Sequence, residues 1–181
     1  NLLQRMSGIA TLTGRYVQTV KHYKARIVDT RKTAPGLRCF DKYAVRTGGG
    51  HNHRFGLFDA VLIKDNHIDA AGGVSRAVEL ARRNAGKSFK IEVETRNITE
   101  VRAALSAGAD IIMLDNMPLH NINKSVDIIR SIKPKTIIEA SGGINLENVN
   151  SVAAAGVDLI SVGAITHSAH AADISMKVLP R

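Results

Sequence analysis

The sequence predicts an α/β fold: an incomplete or open (β/α) barrel of six to seven parallel strands, TIM-barrel-like, built as one domain over residues 1–181. Three observations carry this prediction. Short β-branched runs recur along the chain, and amphipathic helical patterns separate them. One phrase also repeats, as Ala107-Gly108-Ala109-Asp110-Ile111-Ile112 and again as Ala155-Gly156-Val157-Asp158-Leu159-Ile160. Each copy is a helix end, a glycine stop, an aspartate and the next strand. Alternation at this spacing implies right-handed βα units on a parallel sheet.

Taken in order, Leu2 to about Lys24 reads as a helix loosened near Gly8 and Gly14. The runs Arg26–Asp29, Ala60–Ile63, Lys90–Glu94, Ile111–Leu114, Thr136–Glu139 and Leu159–Val162 follow. Most are nearly continuous in apolar residues, as strands buried on both faces are. A seventh strand is predicted near Tyr43-Ala44-Val45. Between the strands, Val74–Arg83 puts Val74, Ala77, Val78 and Ala81 on one helical face. Ile98–Ala107 has Asn97 as its N-cap and Gly108 as its stop. Leu119–Ile132 ends before Lys133-Pro134, and Asn145–Ala155 ends at Gly156. A closed eight-stranded barrel takes at least about 200 residues, so closure is not expected. A doubly wound sheet is the alternative, but it lacks its G-x-G-x-x-G fingerprint after the first strand.

Composition narrows the function classes. A formal charge of +9 calls for a nucleic acid, an anionic membrane surface or a small polyanion. Aromatic residues make up only 4 % with no Trp, so the platforms on which single-stranded bases stack are scarce, and no nucleic-acid partner is expected. No apolar run approaches the roughly 20 residues of a membrane span, and no membrane association is expected. Cys39 is the only cysteine, which rules out an intrachain disulfide and suits a reducing, cytoplasmic setting. An isolated thiol with no motif around it is read as inert. The chain opens on Asn1-Leu2-Leu3-Gln4, already in helical register, which reads as an entry into a longer protein.

The chemistry collects where each apolar run stops. In a parallel barrel all strand C-termini meet on one face, so these residues converge. After the first two runs come cations: Arg31 and Lys32 behind Thr30, then Lys64, with Arg54 in the connection between. The middle runs end in carboxylates, Glu94 and Asp115. The last two end in small-residue turns, Ser141-Gly142-Gly143 and Val162-Gly163-Ala164, whose backbone amides can approach a phosphate closely. The loop Arg46–Arg54 holds three glycines, and its Arg54 suits a planar carboxylate, with His53 as a second donor. His51 and His53 would make half a metal site, but no third ligand is marked nearby. Together these residues outline a ligand with a phosphate at one end, an anionic group at the other, and a middle that takes carboxylates or Mg²⁺.

As an ordered set, Asp29-Thr30-Arg31-Lys32-Thr33-Ala34-Pro35-Gly36-Leu37-Arg38, Gly48-Gly49-Gly50 with His53-Arg54, Lys64-Asp65-Asn66-His67, Glu92-Val93-Glu94, Leu114-Asp115-Asn116, Glu139-Ala140-Ser141-Gly142-Gly143 and Thr166-His167-Ser168 resembles quinolinate phosphoribosyltransferases. The similarity runs from Asn1 to about Lys177. It implies a catalytic barrel that converts quinolinate and phosphoribosyl pyrophosphate, with Mg²⁺, to nicotinate mononucleotide, pyrophosphate and CO₂ in NAD biosynthesis. Carried over residue by residue, Arg31, His53, Arg54 and Lys64 would face the quinolinate carboxylates, and Lys32 the pyrophosphate side. Glu94 and Asp115 would serve the ribose and Mg²⁺, with Lys64, Glu94 and Asp115 as the catalytic set. Ser141, Gly142, Gly143, Val162, Gly163 and Ala164 would grip the 5′-phosphate. The resemblance also implies a homodimer or higher homo-oligomer, and a preceding N-terminal domain that supplies an arginine to the neighbouring site. Nothing in residues 1–181 corresponds to that domain, so this stretch alone is expected to turn over weakly or not at all. Two rivals remain at this point: a molybdenum-transport-associated paralogue on the same scaffold, and a basic nucleic-acid-binding module. The second would bind with a steep salt dependence and would not need Glu94 or Asp115.

Overall fold

The computed structural model describes residues 1–85 and 89–179. Its six strands are β1 (Arg26–Val28), β2 (Val61–Ile63), β3 (Ile91–Thr95), β4 (Ile111–Asp115), β5 (Ile137–Ser141) and β6 (Leu159–Ser161). They form one parallel sheet in the order β1-β6-β5-β4-β3-β2, open between β2 and β1. Eight helices are described: α1 (Leu2–Val20), α2 (Arg38–Thr47), α3 (Asp65–Ala71), α4 (Val74–Ala85), α5 (Ile98–Ala107), α6 (Leu119–Ile132), α7 (Val149–Ala154) and α8 (Ala164–His167). The open, barrel-like sheet agrees with the predicted class. None of the described helices is long and apolar enough to cross a membrane.

The strands are not apolar on both faces, as their sequence suggested. Ile91, Val93, Ile112, Leu114, Ile138, Ala140 and Ile160 are buried together with apolar residues of the surrounding helices, including Val101, Ile122 and Ile129. The alternate positions Glu94, Met113, Asp115, Glu139, Ser141 and Ser161 line a cleft instead. A period of two therefore runs through β3 to β6, apolar against the helices and polar inside. Val162 follows β6 at 1 % exposure, donates its N–H to Val28, and does not line the cleft, contrary to its predicted place in the phosphate turn.

The predicted strand at Tyr43–Val45 is helix α2, whose Ala44 and Val45 are buried in the core. Charge disguises this helix in the sequence. Asp41 is fully buried and receives both Nε (2.8 Å) and Nη2 (2.7 Å) of Arg5, while Lys42 reaches Asp29 at 2.5 Å. The nearest approach to a seventh strand is His51, which makes a single parallel bridge to Val28 at the open edge of β1. Helix α1 runs unbroken past Gly8 and Gly14 and stops at Val20, short of Lys24. Helix α5 has its predicted limits: Asn97 Oδ1 accepts the N–H of Glu100 at 2.9 Å, and Gly108 closes it in the left-handed conformation.

The repeated sequence phrase is a repeated structural clamp at the strand starts. Asp110 Oδ2 takes Arg82 Nη2 (2.7 Å) and Ile91 N–H (2.8 Å). Asp158 Oδ2 takes Arg130 Nη2 (2.7 Å) and Ile138 N–H (2.8 Å) in the same way. Each aspartate ties the preceding strand and its helix to the next strand.

Candidate active site

A cleft of about 510 Å³ opens over the strand C-termini. Of the residues singled out in the sequence, Thr30, Arg31, Lys32, His53, Arg54, Lys64, Glu94, Asp115, Ser141, Gly142, Gly143, Gly163 and Ala164 all line it. Residues more than 130 positions apart are thus brought to one rim by the parallel sheet. A larger groove of about 650 Å³ lies along β2 and shares Arg54 and Leu62 with the cleft. Leu57, Phe58, Leu80 and Phe89 make it mainly apolar, and the polar chemistry belongs to the cleft.

The cationic end is built on the turns after β1 and β2. Thr30 Oγ1 accepts the Lys32 N–H at 3.1 Å, and the Lys32 carbonyl accepts Thr166 Oγ1 at 2.8 Å, which fixes the turn that carries Arg31. Arg54 Nη1 donates to the Ala60 carbonyl at 3.3 Å. Both Arg31 Nε and Arg54 Nε are buried without a hydrogen-bond partner. Burial first lowers the pKa of Arg54; Glu92 opposes this, and Arg31 lowers it further. Two guanidinium groups with unspent donors, close enough to repel, define a site for an anionic group.

Lys64 Nζ lies 3.9 Å from Glu94 Oε2. Burial first, and then Asp115, push the Glu94 carboxyl above its usual range, with Lys64 offsetting part of the rise. Glu94 and Asp115 offer an all-oxygen donor set at one rim, which suits a hard divalent cation shared with substrate oxygens.

The glycine end differs in one respect from the sequence reading. The Ser141-Gly142-Gly143 turn does not open a helix at Asn145. Asn145 Oδ1 accepts the N–H groups of Glu147 (2.9 Å) and Asn148 (3.0 Å), forming a local turn, and α7 begins only at Val149. Gly163 directly precedes α8, and the methylene stem of Lys32 passes beside it.

The floor of the cleft was not legible as a site. His53 Nε2 lies 3.3 Å from Glu92 Oε2 and 3.3 Å from Glu139 Oε2, while Nδ1 accepts the Arg54 N–H at 2.8 Å. Both ring nitrogens therefore face protein groups, and His53 also lines the cleft. Burial lowers the proton affinity of His53, but Glu139 and Glu92 outweigh it and lift its pKa to about 10. A hydrogen on Nδ1 would oppose the Arg54 amide hydrogen, so in the neutral ring the hydrogen sits on Nε2. Glu92, Glu139, Asn116, Ser161 and His167 are the additional residues of the site. Charged side chains inside otherwise apolar runs, at even spacing from Glu94 and Ser141, were the signal for Glu92 and Glu139.

Fold and site define a parallel α/β barrel-type domain whose strand ends gather cations, carboxylates and glycine turns around a cleft. The chain belongs to the quinolinate phosphoribosyl transferase family, whose C-terminal domain matches residues 9–177. It is 48 % identical over 179 residues to the probable nicotinate-nucleotide pyrophosphorylase (carboxylating) of Synechocystis, covering 99 % of this chain and 61 % of that protein. It is 49 % identical over 179 residues to the protein of the same name from Bacillus subtilis, covering 98 % and 61 %. The crystal structure of NadC from Streptococcus pyogenes superposes with a TM-score of 0.91 at 45 % identity, over 98 % of this chain and 61 % of that one. The chain thus spans about three-fifths of the length of these relatives.

Proposed function

We propose that this domain is the catalytic part of a quinolinate phosphoribosyltransferase, which joins quinolinate to phosphoribosyl pyrophosphate and releases pyrophosphate and CO₂. One observation supports this reading above the others: Arg31 and Arg54 hold buried, unpartnered Nε donors in the cleft that the glycine turns also line. Unpartnered guanidinium donors suit a planar dicarboxylate, and the glycine turns a phosphate. The names of the relatives agree with it.

On this reading Arg31, Arg54 and Lys64 hold the two carboxylates and turn the ring nitrogen toward the anomeric carbon. Glu94 and Asp115 accept the ribose hydroxyls and stabilise positive charge as the bond to pyrophosphate breaks. Backbone amides of Gly142, Gly143, Gly163 and Ala164 take the 5′-phosphate, and Lys32 faces the departing pyrophosphate. Glu94 and Asp115 would also hold Mg²⁺, which when bound offsets charge on the pyrophosphate. Once the ring nitrogen is ribosylated, the C2–carboxylate bond breaks, its electron pair moves toward the cationic ring, and a proton takes the vacated position. No protein nucleophile is required. The homodimeric or higher homo-oligomeric state, and the cytoplasmic setting suggested by the lone, exposed Cys39, are proposed on the resemblance and the composition.

The test is release of labelled CO₂ from carboxyl-labelled quinolinate by the native protein with phosphoribosyl pyrophosphate and Mg²⁺. Release dependent on all three supports the reading. Absence of release from folded native protein refutes it.

A further inference from the structure

Two buried carboxylates have no part in the chemistry above. Glu92 and Glu139 stand on the inner side of β3 and β5 at 2 % and 0 % exposure, and Glu92 Oε1 and Glu139 Oε2 lack a partner at hydrogen-bond geometry. Each brings one oxygen to 3.3 Å from His53 Nε2, an ion-pair distance that sets the ring between the two carboxylates. Across the ring, Nδ1 accepts the Arg54 N–H at 2.8 Å. A ring nitrogen that accepts carries no hydrogen, so the neutral imidazole has its hydrogen on Nε2.

Three ligand atoms this close resemble a metal site, His53 with Glu92 and Glu139. The ring argues against it. A metal on Nε2 moves the ring hydrogen to Nδ1, where a histidine ligand normally donates to an acceptor. Here that position faces an amide hydrogen. The Nε2 side of the ring is therefore read as an ion-pair contact with the two carboxylates.

His53 is thus a strut. Asp29 Oδ1 accepts its backbone N–H at 2.8 Å, and Lys42 Nζ donates to its carbonyl at 3.0 Å. Ser161 Oγ in turn donates to Glu139 Oε1. The residue this strut delivers to the cleft is Arg54. We infer that Glu92 and Glu139 are positioning residues, which hold the Arg54 guanidinium in place for a substrate carboxylate by fixing His53. This inference rests on reading the cationic end as the quinolinate site.

The test is a double-mutant cycle in the native protein with Glu139→Gln, His53→Asn and the pair combined. Asn preserves an acceptor for the Arg54 N–H but cannot reach the carboxylates. Each single variant raises the quinolinate KM about tenfold, as loss of one well-placed hydrogen bond does. The KM for phosphoribosyl pyrophosphate stays within about twofold, and the combined variant matches His53→Asn alone. Additive effects in the cycle would overturn the inference, because they make His53 and Glu139 independent.

Nitrogen NMR of the native protein decides the same point without variants. Recorded at high pH, where the ring is neutral, a protonated Nε2 and a bare Nδ1 on His53 support the strut, and a cation bound at Nε2 refutes it. Should quinolinate not be turned over at all, the function proposal fails. The His53 resonances and the Arg54 position in crystals of the Glu139→Gln protein then still decide the strut.

Discussion

Asn116 and Gly142 are packed so closely that a Cβ on Gly142 would overlap Asn116 Oδ1. Asn116 itself sits at φ 51° and is fastened to the same turn by its N–H to the Ser141 carbonyl at 2.9 Å. Gly142 has φ +87°, where an L side chain costs about 1–2 kcal/mol before any clash is counted. Gly142→Ala is therefore expected to displace both Asn116 and the turn. Steady-state kinetics should show the KM for phosphoribosyl pyrophosphate rising about tenfold or more, while calorimetry shows quinolinate affinity unchanged. An unchanged KM for phosphoribosyl pyrophosphate would remove this turn from the phosphate site.

The two arginines of the cleft predict a different pattern. Arg31→Lys or Arg54→Lys keeps the charge but loses the planar fork. Loss of a charge-assisted hydrogen bond corresponds to about 1.5–3 kcal/mol, so the quinolinate KM should rise about ten- to a hundredfold. The KM for phosphoribosyl pyrophosphate should move much less.

The clamps at the strand starts serve stability and not chemistry. Asp158→Ala removes a carboxylate that binds both Arg130 and the Ile138 N–H, and Asp110→Ala does the same at the other copy. Both aspartates are partly solvent-exposed, which lowers the expected cost to about 1–2 kcal/mol each. Urea unfolding should show it in the midpoint. Turnover per folded molecule should stay unchanged, since the clamps lie at the other end of the strands from the cleft.

The proton held at the cleft floor gives stability a pH dependence. His53 has its pKa lifted to about 10 in the folded protein, against an ordinary value of 6.5. The folded state therefore binds more protons between these values, and stability falls with rising pH across that window. The contribution is complete below about pH 6.5 and lost as pH passes about 10. Denaturant unfolding of the native protein and His53→Gln at pH 6, 8 and 10 should show the gap between them narrowing as pH rises. A gap that widens would reverse the assignment.

Much of this molecule was legible in its residues. The six strand positions, the limits of α5 and α6, and thirteen of the cleft residues followed from where apolar runs stop and what stands there. The repeated Gly-x-Asp phrase marked a real structural repeat. What was missed has a common cause: burial of charge. Helix α2 hides its core face behind Asp41 and Lys42, which are satisfied by Arg5 and Asp29 from distant segments. Glu92 and Glu139 sit where an apolar run predicts apolar side chains, and only the fold shows that alternate positions face inward. The start of α7 was placed four residues early because Asn145 caps a turn and not the helix.

The central claim is that one cleft holds a dicarboxylate at its arginine end and a phosphate at its glycine end. A crystal structure of the native protein with quinolinate and a non-hydrolysable analogue of phosphoribosyl pyrophosphate tests it most directly. The account predicts both quinolinate carboxylates against Arg31, Arg54 and Lys64, ribose hydroxyls against Glu94 and Asp115, and the 5′-phosphate over Gly142, Gly143 and Gly163. Quinolinate bound at the glycine turns, or outside this cleft, would contradict it.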